Sequence, residues 1–137
     1  MTETFPTRAT LERLGQRMNT DRDRYVKLGV VDCRFGVRVE DSGAGYTIVF
    51  DTYGCTGVED GVDRADFVVE AESDIWQEMY DDILAHGRAS RDHTINYLTL
   101  PGIAMRVSSA SEDQLDEDLF SRYNQTFQSY FDGAAVR

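Results

Sequence analysis

Few side chains in this sequence are suited to catalysis or metal binding: His86 and His93, Cys33 and Cys55, Ser90 near an Asp92-His93 pair, and scattered carboxylates. The two histidines stand seven positions apart across a glycine-containing loop, a spacing that does not put both on one helical face as metal ligation prefers. Surface histidines are therefore expected. Ser90, Asp92 and His93 have the residue types of a Ser-His-Asp relay, but adjacent residues rarely point at one another and no relay is expected. Cys33 and Cys55 lie twenty-two positions apart with no CxxC and no companion histidine at metal spacing, which argues against zinc. Buried free thiols are the preferred reading, with a disulfide between neighbouring strands as the alternative. A GxSxG nucleophile elbow, a phosphate-cradling glycine loop, HExxH and a dinucleotide fingerprint are all absent. The acidic clusters Asp81-Asp82 and Asp113 to Asp118 read as solvated helix faces, and neither has the D-x-D-x-D-G order of a calcium loop. No catalytic residue, metal or cofactor is assigned.

What the chain has in quantity is aromatic surface: seven Phe, seven Tyr and one Trp. The elements that must hold it follow from hydrophobic period. Thr7 to about Tyr25 reads as a helix, with Leu11, Leu14, Met18 and Tyr25 at three- and four-residue steps or multiples of them. From Val31 the period falls to two, with Cys33, Phe35, Val37 and Val39 on one face of a strand. Asp41 to Gly45 supplies turn chemistry before a second alternating run through Tyr46, Ile48 and Phe50, which together make a hairpin. Gly54, Gly57 and Gly61 break the stretch around Val58, and Ala65 to Ala71 alternates again. Three consecutive strands with short connections are expected to pair antiparallel. Ser73 offers an N-cap to a helix carrying Ile75, Trp76, Met79, Tyr80, Ile83 and Leu84, stopped by Gly87. Thr94 to Leu100 reads as a strand, and after a Pro101-Gly102 bend Ile103 to Val107 reads as another. A capping box at Ser111 to Gln114 opens a last helix whose face, through Phe120, Tyr123, Phe127, Tyr130 and Phe131, is unusually aromatic.

This order makes an α+β domain with helices against one sheet face. At 137 residues the chain is expected to form one domain, residues 1–137, with 1–6 flexible. An open sheet under aromatic helices either fills its core with those side chains or leaves an apolar cavity. Twenty-five carboxylates against fourteen Lys and Arg give a net charge of −11, which repels phosphate backbones, so nucleic acid is not an expected partner. The charge is uneven: residues 1–38 hold eight basic side chains against five acidic ones, the remainder six against twenty. That split marks either a site for an acidic partner or a basic helix packed beside an acidic body. No apolar run approaches the roughly 18 residues of a membrane span and no signal-peptide core is visible, so a cytoplasmic protein without membrane insertion is expected.

At Ala65 to Leu84, ADFVVEAESDIWQEMYDDIL, and at Leu100 to Val107, LPGIAMRV, the chain resembles the sterol carrier protein-like, sterol-binding domain family. Members place an AD-x-x-I strand directly before an acidic-capped helix, often with an early Trp, and later carry a glycine turn followed by a short GLAMKL-like strand. The resemblance implies a five-stranded antiparallel or mixed sheet covered by three main helices, enclosing a tunnel for lipids, sterols or fatty-acyl groups without covalent chemistry. Trp76, Tyr80 and Met105 carry over as pocket lining by motif position, and Phe127 and Phe131 join them from periodicity. The segment His93 to Gly102 departs from the family's Gly-rich GKLKIKGN-like pattern and keeps only the Pro-Gly turn.

Two other readings stand beside it. A cone-shaped domain of the nuclear transport factor two-like type hosts small isomerases and epoxide hydrolases, and would use Asp51, Asp66 or Glu70 as a buried carboxylate with Tyr97 or Tyr123 as donor. Its usual element order, helices before the long strands, is not this one. An assembly subunit, a homodimer in the simplest case, would instead offer the aromatic closing helix to its partner.

Overall fold

The computed structural model describes residues 3–109 and 114–135. Helix α1 runs Arg8–Thr20 and opens on a capping box between Thr7 and Thr10, which satisfies amides the first turn leaves free. The polar Asp21 ends it and caps a separate helix α2, Arg22–Leu28, so the single helix expected to Tyr25 is two.

The sheet follows: β1 Cys33–Val39, β2 Gly45–Asp51, β3 Gly54–Asp60, β4 Phe67–Ala71 and β5 Arg106–Ser108, in the spatial order β3-β2-β1-β4-β5. Period two decides its faces, since Cys33, Phe35, Val37 and Val39 are buried while Arg34 and Arg38 are exposed. Two expectations fail here. The glycine-broken stretch around Val58 is itself a strand, antiparallel to β2, with a register shift at Val49/Phe50 taking up the irregularity. The run from Ala65, expected to pair antiparallel, lies beside β1 and runs parallel to it. The cause is a crossover on the open face. The Thr47 hydroxyl donates to the Gly61 carbonyl at 2.7 Å, and Ala65 packs over Gly36, where a Cβ would meet the Ala65 Cβ and the Phe67 carbonyl at 2.9 Å. Glycine at 36 lets the connection pass.

Helix α3, Ser73–His86, buries Trp76, Met79, Tyr80 and Ile83 and stops at Gly87 in the left-handed region. Its start is held from elsewhere: Ser73 is the first helical residue, and its amide and hydroxyl both donate to the Asp41 carboxylate in the β1–β2 turn, at 2.7 and 2.6 Å. The segment expected as a strand from Thr94 to Leu100 is a single helical turn, α4, Ile95–Leu98, capped by Thr94. Its buried pair is Ile95 and Leu98, a spacing of three, and not the alternation of 95, 97 and 99. The following strand is shorter than expected because the amides of Ala104 and Met105 turn back to the Leu98 carbonyl, at 3.2 and 2.8 Å. The closing helix is broken at Tyr123 into α5, Gln114–Arg122, and α6, Asn124–Asp132. The capping box expected at Ser111 lies outside the described residues.

The helices cover one face of the sheet. On edge strand β3, Asn19 of α1 donates to the Cys55 carbonyl and accepts its amide, both at 2.8 Å, which occupies backbone groups an edge leaves unpaired. Arg17 ties α1 to the chain end by donating to the Gly133 and Ala134 carbonyls. Near the chain start Phe5 is 2% exposed, and Glu3, itself exposed, pairs with Arg13.

Candidate functional site

Between sheet and helices lies an aromatic layer. Strand alternation brings Phe35 of β1 and Phe67 of β4 to the inner face with ring centres 5.1 Å apart, and Phe50 of β2 joins them from the side. The helical period of α6 delivers Phe127 onto all three, at 4.9 Å from Phe35, 5.5 Å from Phe50 and 5.7 Å from Phe67. Phe120 of α5 stacks on Phe127 across the helix break at 6.1 Å. One turn on, Phe131 touches Phe35, Trp76, Tyr130 and Phe5, so the layer extends beneath α3 to the N-terminal segment. The tilted and edge-on geometries are those aromatic quadrupoles prefer.

All five residues expected to line a pocket belong to one buried core: Trp76, Tyr80, Met105, Phe127 and Phe131 are each 3% exposed or less. They are not equivalent. Trp76, Phe127 and Phe131 sit in the layer, and the Trp76 indole donates to the Arg38 carbonyl at 3.1 Å. Tyr80 lies at its rim, stacked on Phe5 at 4.6 Å, with its hydroxyl donating to Glu3 and accepting from Arg13. Met105 lines a surface recess of about 510 Å³ together with Ile75, Ile103 and the charged Glu40, Glu72 and Arg106. A second recess, of about 290 Å³, reaches Phe120, Leu100 and Val107. The two share the Leu100 to Ile103 turn, where both Leu100 and Ile103 are 46% exposed.

No buried side-chain nitrogen or oxygen among the described residues lacks a partner, so the layer presents no polar group awaiting one. Tyr130 shows how this is done: fully buried, it donates to the Leu11 carbonyl at 2.6 Å, and burial pushes its pKa well above that of a free phenol. Cys33 and Cys55 are free and buried, and desolvation pushes their thiols up to about 12 and about 11.

The carboxylates of the enzyme reading are elsewhere. Asp51 accepts the Tyr53 and Gly54 amides in the β2–β3 turn, Asp66 accepts the Arg34 amide, and Glu70 pairs with Arg38 and Arg106 on the open face. Tyr97 and Tyr123 are only half-buried. Ser90 does meet His93, at 3.3 Å, but the acid beside them is Asp82 and not Asp92. Asp82 accepts the Ser90 amide and hydroxyl and lies 3.6 Å from the same His93 nitrogen the serine approaches. A relay needs acid and nucleophile on opposite ring nitrogens, so this cluster ties the Ser90 loop to α3. Asp82 is therefore 8% exposed rather than solvated. Among the described residues no group of three or more His, Cys, Asp or Glu is placed to hold a metal. On the closing helix Phe120, Phe127, Tyr130 and Phe131 are buried and Tyr123 is half-buried. Phe5 was missed because nothing in its local pattern marks it, whereas Phe35, Phe67 and Phe120 were legible as core positions from their period.

The architecture has known counterparts. A crystal structure of sterol carrier protein 2 superposes with a TM-score of 0.65 at 16% identity, over 95% of this chain and 96% of that one. The solution structure of a conserved hypothetical protein from Thermus thermophilus, suggested to be a sterol carrier protein, superposes at 0.70 and 16% identity over 98% and 91%. A ubiquinone synthesis protein, UbiJ-SCP2, follows at 0.52 and 15% identity over 94% and 85%. No protein-family model and no curated protein sequence matches the chain. The chain has the sterol carrier protein 2-like fold, an α+β architecture with a five-stranded mixed sheet. No helix among the described residues is long and apolar enough to cross a membrane.

Proposed function

We propose that this protein binds and carries a hydrophobic small molecule of the lipid, sterol or fatty-acyl class between its sheet and helices, without covalent chemistry. The observation that carries the reading is the continuous layer of Phe35, Phe67, Phe120, Phe127 and Phe131, apolar throughout and closed by α5 and α6. An apolar ligand entering it exchanges ring–ring contacts for ring–ligand contacts, a near-neutral trade inside the protein that removes the ligand's own surface from water at about 25 cal/mol per Å². Entry falls at the Leu100 to Ile103 turn, where two recesses end on Met105 and Phe120 and the wall between them exposes two aliphatic side chains. Trp76, Tyr80, Met105, Phe127 and Phe131 line the opened site. The free thiols of Cys33 and Cys55 suit a reducing compartment, and the cytoplasm is the location this reading assigns.

Native mass spectrometry of the protein as purified, followed by titration with a fluorescent fatty acid and a fluorescent sterol, tests the reading. Saturation near one-to-one, return of the ligand unchanged and a response of the lone Trp76 are expected. A chemically altered ligand would point instead to an enzyme. Failure of both probes to saturate would remove the carrier function.

A further inference from the structure

A third recess, of about 300 Å³, is lined from α1, α2, α6 and the turn after α3 and contains none of the five apolar-site residues. Three arginines reach it from three elements: Arg17 from α1, Arg24 from α2 and Arg88 from the turn after α3. In a chain of net charge −11 this convergence asks for a counter-charge, and the protein supplies little. Arg8, Arg13, Arg34, Arg38 and Arg106 each pair with a carboxylate, whereas the side chains of Arg24 and Arg88 form no hydrogen bond or ion pair among the described residues and act on Asp132 only through their charge. Arg17 spends one amino group on the Gly133 and Ala134 carbonyls, which fix it without neutralising it.

Two carboxylates share the recess, and both have other work. Asp21 caps α2 by accepting the Arg24 amide at 3.4 Å. Asp132 accepts the Ala89 amide and the Gln128 side chain on one oxygen, at 3.0 and 2.9 Å, and its burial pushes its pKa up against the pull of Arg24 and Arg88. Met18, Tyr25 and Leu28 supply an apolar wall. The recess is thus a small cationic cup with one greasy side, at the lower end of the size range for small-molecule sites. It draws on two of the eight basic side chains of residues 1–38, Arg17 and Arg24.

We propose that this recess binds the phosphate or carboxylate group of a small ligand with an apolar body, Arg24 and Arg88 gripping the oxyanion and Met18, Tyr25 and Leu28 receiving the body. Guanidinium forks suit planar or tetrahedral oxyanions, and charge-assisted bonds of this kind are the strong ones. The site stands apart from the apolar interior and holds or fails independently of the carrier reading.

Titration of the full chain with phenyl phosphate, followed by amide chemical shifts, tests it, with phenol as the uncharged control. Saturable binding confined to the recess is expected, with no binding of phenol. The Arg24→Ala/Arg88→Ala double variant, which removes two exposed side chains that make no hydrogen bond, is expected to weaken binding by about tenfold or more. Asp132→Asn keeps an oxygen for both of its donors, removes the repelling charge, and is expected to tighten binding several-fold. Retention on phosphatidate-containing vesicles that the double variant loses assigns the group to a lipid head; phenyl phosphate binding without such retention assigns it to a soluble ligand. Phenyl phosphate that fails to saturate, or an affinity unmoved by the double variant, overturns the proposal.

Discussion

The two faces of the same five strands differ in what they hold together. Inward, Phe35, Val37, Phe67 and Val69 are 1% exposed or less, and Phe35 and Phe67 meet the rings of α5 and α6. Outward, Arg34, Arg38, Glu70 and Arg106 alternate with them and form cross-strand pairs, Arg34–Glu59 at 3.8 Å, Arg38–Glu70 at 3.3 Å and Arg106–Glu70 at 2.7 Å. Apolar burial on the first face supplies most of the stability, whereas the half-exposed ion pairs of the second are worth little each and serve solubility and register. If the proposed carrier function holds, the covered face is also the one a ligand must open, and its packing sets what opening costs. The open face has one tight point, the crossover above Gly36.

Substitutions can break this comparison. Phe127→Ala, at the hub of four rings, is expected to cost about 3–5 kcal/mol in denaturant unfolding. Gly36→Val is expected to cost about 1–3 kcal/mol, because its neighbours include the Phe67 carbonyl and two side chains that cannot all retreat. A similar loss at both positions would show that the crossover matters as much as the core. The thiols test closure directly. At pH 8 Cys33 is expected to react with iodoacetamide about a thousandfold and Cys55 about a hundredfold more slowly than in the unfolded chain, since their folded pKa values stand at about 12 and about 11 against an ordinary 9.0. The sign also fixes a pH effect: the folded state keeps protons the unfolded state releases, so stability falls as pH rises from 9.0 toward those values. Tyr130→Phe removes the bond to the Leu11 carbonyl and is expected to cost about 1 kcal/mol. Arg106→Ala, on the open face, is expected to have the smallest effect on stability and to become neutral in high salt.

Much of this contrast was legible from period alone. Two-residue alternation marks the inner positions of β1 and β4, and helical spacing marks Trp76, Tyr80, Phe127 and Phe131. What was not legible depends on contacts far apart in sequence. The parallel pairing of β4 with β1 comes with a crossover that passes over Gly36 and is tied by Thr47, and a glycine in a strand does not announce which segment passes over it. The break at Tyr123 leaves the aromatic period nearly intact on both sides. Ile95 and Leu98 in one short turn carry too few residues to separate period two from period three. The Asp82–Ser90–His93 cluster and the Arg17–Arg24–Arg88 recess each join side chains from separate elements, where spacing says nothing. The apolar character of the site could be read, but its closed state could not.

Opening of the layer by a ligand is tested most directly by intermolecular nuclear Overhauser effects on the protein saturated with a long-chain fatty acid. The account predicts contacts from the acyl chain to the Met105 methyl and to the Phe127 and Phe131 rings, with Phe120 shifted from its stacked position. Saturable binding whose only contacts are to exposed residues, or no saturable binding at all, would contradict it.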